Sequence, residues 1–319
     1  VAAAFTHRDT RAGDPDLHTH VAVANKVQAL VDGQWRAIDA RVMHTAITAA
    51  SETYNTALEA HLTATLGVRF DDIPRSDGRL SVREIASVDP RLITLWSTRR
   101  KEITLRAGEL AQAFQDDHGR PPTPGERQDL YQVATLETRE AKHEPRSRSE
   151  QRTTWRDQAI AVLGQAGLDA MLSGVFTQRA ARRPSVDAEW VRRTAPVVIA
   201  NVEERRAGWQ TWHVRAEALR VARTQGLLPD ELEVAIPQLV EAALSSSISL
   251  DPPDDGIREP AVLRRTDGTS VYRVTGSTRY TSHRVLAAEQ RIIDAASRTD
   301  GRKASLNSVD LALLTELAN

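Results

Sequence analysis

Residues 5–23 read FTHRDTRAGDPDLHTHVAV, and this stretch limits the fold more than any other. His18 and His20 are separated by one threonine, so a strand sends both imidazoles to the same face, about 6.5–7 Å apart along the chain. Leu17, Thr19, Val21 and Val23 take the opposite face. The preceding VAAAFTH is β-compatible, and RDTRAGDPD, with Gly13, Asp14 and Pro15, is polar and turn-rich enough to return the chain antiparallel. His7 then arrives from the neighbouring strand. One hairpin thereby offers three imidazole nitrogens and an open coordination position, the pattern of a catalytic rather than a structural metal. The competing reading is a pair of exposed histidines on the solvent face of a strand. His44, His61, His118, His143, His213 and His283 lack such spacing and are read as ordinary surface or helix-face residues.

Composition narrows the choice of ligand. The chain has no cysteine, so disulfides and thiolate zinc sites are excluded and any metal must be held by histidine and carboxylate. A length of 319 residues predicts two or three compact units. With aromatics at 4%, the core must be built mainly from Ala, Leu and Val. No apolar run reaches a membrane span and no signal peptide stands at the start, so the expectation is a cytoplasmic protein without membrane insertion. The net charge of −1 excludes a uniformly basic nucleic-acid coat. Lys26, Lys101, Lys142 and Lys303 are the only lysines, and the other basic residues are arginines. Arginine suits bidentate phosphate recognition, although a base composition favouring Arg codons gives the same bias.

Patterning gives the outline of the fold. Asp32-Gly33 between two apolar runs predicts a second hairpin turn, so the first forty residues read as one small antiparallel sheet. Beyond Arg41 the period changes: Ile47, Ala50, Tyr54, Leu58 and Leu62 recur every three or four residues, and Gly67 sits at a C-cap. This helix is expected to pack across the sheet, with Tyr54 in the core. DDIPRSDGR reads as a loop, and a helix is predicted from about Pro90 to Asp117. Thr123, Pro124 and Glu126 supply a cap, a proline at the first helical position and a capping-box partner for the next one. Residues 150–245 read as helical with breaks near Gly164-Gly167, Pro184 and Pro229, followed by a short strand at SSSISL and a loop through DPPDDG. A hairpin around Asp267-Gly268 and an amphipathic helix carrying Val285, Ala288, Ile292 and Ala295 complete the chain. The fold class is therefore α+β and predominantly α-helical, with an N-terminal remnant of an antiparallel sheet, long helices and a small C-terminal β-hairpin and helix segment.

FTHRDTRAGDPDLHTHVAVAN closely resembles the three-histidine motif of conjugative relaxases of the MobF type, the TraA/TrwC/TraI-like relaxase-helicases of the HUH endonuclease group. DGQWRAID, ITAASETYNTALEAHL and LGVRF resemble the segments downstream of the motif in that family. LWSTRRKEI and GRPPTPGERQDLYQVATLETREAKHEP resemble the segment between relaxase and helicase, and YTSHRVLAAEQRIIDAA the lead-in to a RecD-like helicase domain. The resemblance implies three parts: residues 1–75 as the C-terminal part of a relaxase domain, 76–150 as a linking helical segment, and 151–319 as a helical region leading into the helicase.

It also implies a chemistry. His7, His18 and His20 would hold a divalent ion against the scissile phosphate of single-stranded DNA at an origin of transfer, while a tyrosine attacks to leave a 5′-phosphotyrosine link. All-nitrogen ligation favours Zn, Mn or Ni by affinity, whereas the family is associated with Mg or Mn. Arg8, Arg11 and Lys26 flank the motif and are candidate DNA contacts, and other proteins of the conjugation machinery are candidate partners. The family's nucleophilic tyrosine lies upstream of the motif, and only six residues precede His7 here. Tyr54, Tyr131, Tyr272 and Tyr280 have no matching context, and no phosphate-binding loop of the G-x-x-x-x-G-K-[ST] type occurs, GRKAS at 301–305 being only a basic turn. With Val1 rather than Met in first place, the expectation is an internal piece of a relaxase-helicase, without nucleophile or ATP site and unable to nick DNA alone. The alternative is a helical DNA-binding or protein-interaction scaffold whose histidine site is incidental. Arg99, Arg100, Lys101, Arg146, Arg148 and Arg152 read as solvated helix faces before phosphate contacts, and Trp209 and Trp212 as core before base-stacking platforms.

Overall fold

The computed structural model describes all residues except 31, 76–79, 142, 177–183, 253–258, 266–267, 275, 302–303 and 317–319, and the side chains of 311–312 and 314–316. The chain forms two compact units, one of Val1–Ile38 with His61–Arg182, the other of Asp39–Ala60 with Arg183–Asn319. The class is α+β with helix predominant.

In the first unit, β1 (Ala2–Asp9) and β2 (Pro15–Val23) pair antiparallel, and β3 (Val27–Gln28) pairs with β4 (Trp35–Arg36). The expected single sheet over the first forty residues is instead two separate two-stranded hairpins. After β2 the chain turns through Asn25 and Lys26, where Ala24 N–H donates to the Val1 carbonyl and Ile38 N–H to Asn25 Oδ1, so β3 runs on without joining β2. Helix α1 (Ala40–Leu66) ends at Gly67, whose φ of 69° and hydrogen bond to the Thr63 carbonyl make the expected C-cap.

The segment read as a loop holds a third hairpin, β5 (Phe70–Ile73) against β6 (Val82–Ile85). The predicted helix from Pro90 is broken at Trp96 and Ser97 into α2 (Pro90–Leu95) and α3 (Thr98–His118). Trp96 leaves helical geometry and its indole N–H is held by Gln158 at 2.9 Å. Helix α4 (Pro124–Glu137) starts with the anticipated capping box, Thr123 with Glu126, and packs on α3. Hydrogen bonds from Arg120 and from both Thr123 donors hold the Glu126 carboxyl far below the usual carboxylate range. Helix α5 (Arg148–Phe176) is kinked where Gly164 takes φ 71°, as its sequence predicted, and its Ala159 and Leu168 bury with Leu92 of α2. Counting apolar runs missed that α5 is long and apolar enough, by length and composition only, to cross a membrane. Gln165 and Asp169 interrupt its apolar stretch.

The second unit is a helical bundle of α6 (Ala188–Glu203), α7 (Thr211–Thr224) and α8 (Pro229–Ser245). Trp190, Val198, Val214, Leu219, Ile236 and Leu239 fill its core, with α1 contributing Ala60. Trp209 is buried there too, in line with the core reading, and its backbone pairs with Tyr280. Strands β7 (Ile248–Ser249) and β8 (Tyr280–Thr281) form the C-terminal β element. The expected hairpin around Asp267-Gly268 is reduced to an isolated bridge, Arg264 to Ser270, after a 3-10 turn at Ala261–Leu263, and Asp267 lies outside the described residues. Much of the DPPDDG loop and residues 302–303 of GRKAS also lie outside them. Helices α9 (His283–Ala296) and α10 (Leu306–Glu316) complete the unit.

Helix α1 buries the face opposite to the one its apolar period predicted. Met43, Ile47, Tyr54 and Leu58 are exposed, while Ala49, Thr56, Glu59 and Ala60 are buried. The reason is electrostatic. Glu52 pairs with Arg220 and Arg223 of α7 at 2.9 Å each, Glu59 with Arg223 at 3.3 Å, and the Thr56 hydroxyl donates to the Leu219 carbonyl. Once buried, these acids require the arginines, and the arginines lie on α7.

Candidate metal centre

Strand register brings the histidines together. His7 of β1 lies directly opposite His18 of β2, and Phe5 opposite His20, so Phe5, His7, His18 and His20 share one face. The three ring centroids are 4.9 to 5.3 Å apart, and one ring nitrogen from each residue lies within 4.8 Å of the others. His7 and His18 are half-buried and His20 is exposed. Three imidazoles, each able to offer one ring nitrogen within a space this small, are a donor set that a divalent ion fits. On the reverse face the Thr6 and Thr19 hydroxyls are 3.1 Å apart, and Leu17, Val21 and Val23 are exposed.

His18 is oriented further. Its Nδ1 is 2.9 Å from the Asp16 carbonyl oxygen and 3.3 Å from Asp16 Oδ2.

What fixes the hairpin is its turn. Thr10 N–H donates to the Asp14 carbonyl and Gly13 N–H to the Thr10 carbonyl. Gly13 has φ 85°, a left-handed conformation that requires glycine, and the Arg146 guanidinium lies against it where a Cβ would meet Nη2 at 2.6 Å. Asp14, buried, accepts from Thr98 N–H at 2.9 Å and from the Thr98 hydroxyl at 3.1 Å, placing a carboxylate on the first turn of α3. Trp155 of α5 donates its indole N–H to the Gly13 carbonyl at 2.9 Å. Asp9 Oδ2 receives Gln151 Nε2 at 2.8 Å and Arg146 Nη2 at 3.0 Å, with His143 Nε2 at 3.3 Å. Burial pushes the Asp9 carboxyl upward, but the Gln151 and Arg146 hydrogen bonds and the charges of His143 and Arg146 outweigh it and hold the group below the usual carboxylate range.

The flanking basic residues separate. Arg8 leaves β1 on the face opposite His7 and its Nε donates to Gln151 at 2.9 Å. Arg11 donates to the Glu140 carbonyl at 2.9 Å, and Lys26 stands exposed in the turn after β2. Arg146 is the buttress of Asp9, and Arg99 donates to the Thr135 and Thr138 carbonyls at the end of α4. Tyr54 is exposed on α1, contrary to its expected core position, and Tyr131 lies on α4, Tyr280 on β8 and Tyr272 outside any strand or helix. Sequence reading missed Asp9, Asp14, Asp16, Gln151 and Trp155. Asp16, two residues before His18 in a strand, was the one with a readable signal.

The family model for the TrwC relaxase matches residues 1–162, which contain the three histidines, the turn and its buttresses. This chain belongs to the TrwC relaxase family. Solved TrwC relaxases are similar to it over 50% of its length. A metal-free complex with oriT DNA is 25% identical with 50% of that chain covered, at a TM-score of 0.36. A complex with mutant oriT DNA is 28% identical with 51% covered, at 0.38, and a copper-bound complex 26% identical with 48% covered, at 0.38. The chain thus spans about half the length of the TrwC structures it matches, and superpositions this loose add nothing to the family match. No curated protein matches.

Proposed function

We propose that this TrwC-family chain carries the metal-binding part of a relaxase active site, which acts on single-stranded DNA at an origin of transfer. The observation that carries the reading is the convergence of three histidine nitrogens within 4.8 Å on one face of a hairpin, inside the segment that matches the family. His7, His18 and His20 would hold a divalent ion, Mg or Mn, with Zn or Ni also suited to nitrogen ligation. When bound, such an ion supplies Lewis-acid polarisation of a phosphoryl oxygen, making the phosphorus open to attack by a hydroxyl.

The chain's own residues hold the geometry. The two strands set the ring separations, and the Asp9 and Asp14 contacts anchor the turn from which both strands depart. Lys26, exposed beyond β2, is the flanking cation best suited to a phosphate, while Arg8 and Arg11 can offer only the guanidinium N–H groups that Gln151 and Glu140 leave unused. The proposal extends to the whole relaxase: tyrosine transesterification leaving a 5′-phosphotyrosine link, a helicase activity that unwinds the transferred strand, contacts with other conjugation proteins, and action in the cytoplasm. None of the chain's four tyrosines lies on a strand of the metal hairpin, so the attacking hydroxyl is assigned to another segment of the protein.

Calorimetric titration of the protein and of His18→Ala with Mn and Zn tests the assignment. The parent should bind one ion, and the variant should bind at least ~100-fold more weakly, since a directly ligating residue matters more than an outer-shell partner. Equal stoichiometry and affinity in the two proteins would overturn it.

A further inference from the structure

Of the three histidines, His18 alone has a hydrogen-bond acceptor within reach of its ring among the described residues. Both acceptors come from one residue. The Asp16 carbonyl oxygen lies 2.9 Å from Nδ1, and Asp16 Oδ2 lies 3.3 Å from the same nitrogen. The strand explains the pairing: Asp16 and His18 are two apart in β2, so their side chains leave on one face, and His20 comes next in the same row. A carbonyl oxygen only accepts, so Nδ1 must carry the proton. The lone pair then sits on Nε2.

We propose that Asp16 is a positioning residue for the metal centre. It fixes His18 as the Nδ1–H tautomer before any ion arrives and makes Nε2 the ligating nitrogen. This rests on the metal-ligand reading of the triad but adds a residue and an order to it. His7 and His20 must choose tautomer and ring angle on binding, whereas His18 is prepared in advance. The carboxylate, 3.3 Å from Nδ1, also faces the ring and helps hold its orientation. Asp16 is half exposed, so the effect belongs at the weak end of outer-shell contributions, about 10-fold in affinity.

Two measurements on the full chain test the inference. The first is long-range ¹H–¹⁵N correlation of the histidine rings without metal, in the parent, Asp16→Ala and Asp16→Asn. Expected is a pyrrole-type Nδ1 and a pyridine-type Nε2 at His18 in the parent, and the same tautomer in Asp16→Ala, which keeps the backbone carbonyl acceptor and loses only the carboxylate. A parent His18 protonated at Nε2 would overturn the proposal, whether or not the protein binds metal. The second is Mn and Zn titration of the same proteins. Asp16→Ala should bind about 10-fold more weakly, and Asp16→Asn, which keeps an acceptor oxygen without the charge, should fall between it and the parent. Asp32→Ala, which removes an exposed aspartate of the β3–β4 hairpin, serves as the control and should match the parent. Parent-like affinity in Asp16→Ala, with His18→Ala still impaired, would sink the role of Asp16 and leave the histidine site standing. If neither parent nor variants bind an ion, the histidine assignment fails and the ring tautomers alone decide the fate of Asp16.

Discussion

The β1–β2 hairpin and the α6–α8 bundle reach order by opposite means. In the bundle, Trp190, Val198, Leu239 and their neighbours are removed from water almost completely, so burial of apolar surface fixes each side chain. In the hairpin, Leu17, Val21 and Phe5 are exposed, and the structure is secured at one end through polar contacts to Asp9, Gly13 and Asp14. A core tolerates little change anywhere. A clamped hairpin keeps its far face open for a ligand, at the cost of depending on a few hydrogen bonds.

The comparison breaks if mutations in one region behave like those in the other. The largest effect is expected from Arg223→Met, which leaves buried Glu59 and half-buried Glu52 with one cation fewer. Denaturant unfolding should show a loss of about 3–5 kcal/mol, and an unchanged midpoint would mean the ion pairs are not what seats α1 on α7. Leu239→Ala, at a fully buried site, should cost about 2–5 kcal/mol in the same assay and leave metal affinity untouched. Asp9→Ala should reverse that order. It strands the Gln151 and Arg146 donors for about 1–3 kcal/mol of local stability, so amide exchange in β1 and β2 should accelerate and metal binding weaken while the bundle melts as before.

The smallest effect concerns acid. Hydrogen bonds from Arg36 and from the Gln34 N–H lower the Asp32 carboxyl to about 2. A carboxyl depressed in the folded state stabilises fully above its unfolded value, about 3.9, and ceases to do so as pH falls through the folded value. The β3–β4 cross-strand contacts should therefore persist at pH 4 and fade toward pH 2 in NMR spectra. In Asp32→Asn that acid-dependent step should vanish. The same step in the variant would assign it to another group.

Much of the candidate site was legible because it is local. His-x-His in a strand leaves one geometry available, and RDTRAGDPD contains the turn that brings His7 across, so the triad followed from spacing and turn chemistry. The capping box at Thr123, the C-cap at Gly67 and the break at Gly164 were readable for the same reason. Asp9 and Asp14 carry no comparable signal. Aspartates in a polar turn look alike until Gln151, Arg146 and Thr98, all more than 80 positions away, select among them. The β5–β6 hairpin was missed because Phe70–Ile73 contains two aspartates and lacks the alternation that marks a strand.

The sequence by itself determined the elements whose hydrogen bonds close within a few residues, and with them the face on which three histidines meet. Only the tertiary structure decided which side of α1 is buried, what the turn of the metal hairpin leans on, and that the first forty residues form two hairpins rather than one sheet. Those choices depend on partners distant in the chain. A buried carboxylate goes where its arginine is, and no local period records where that will be.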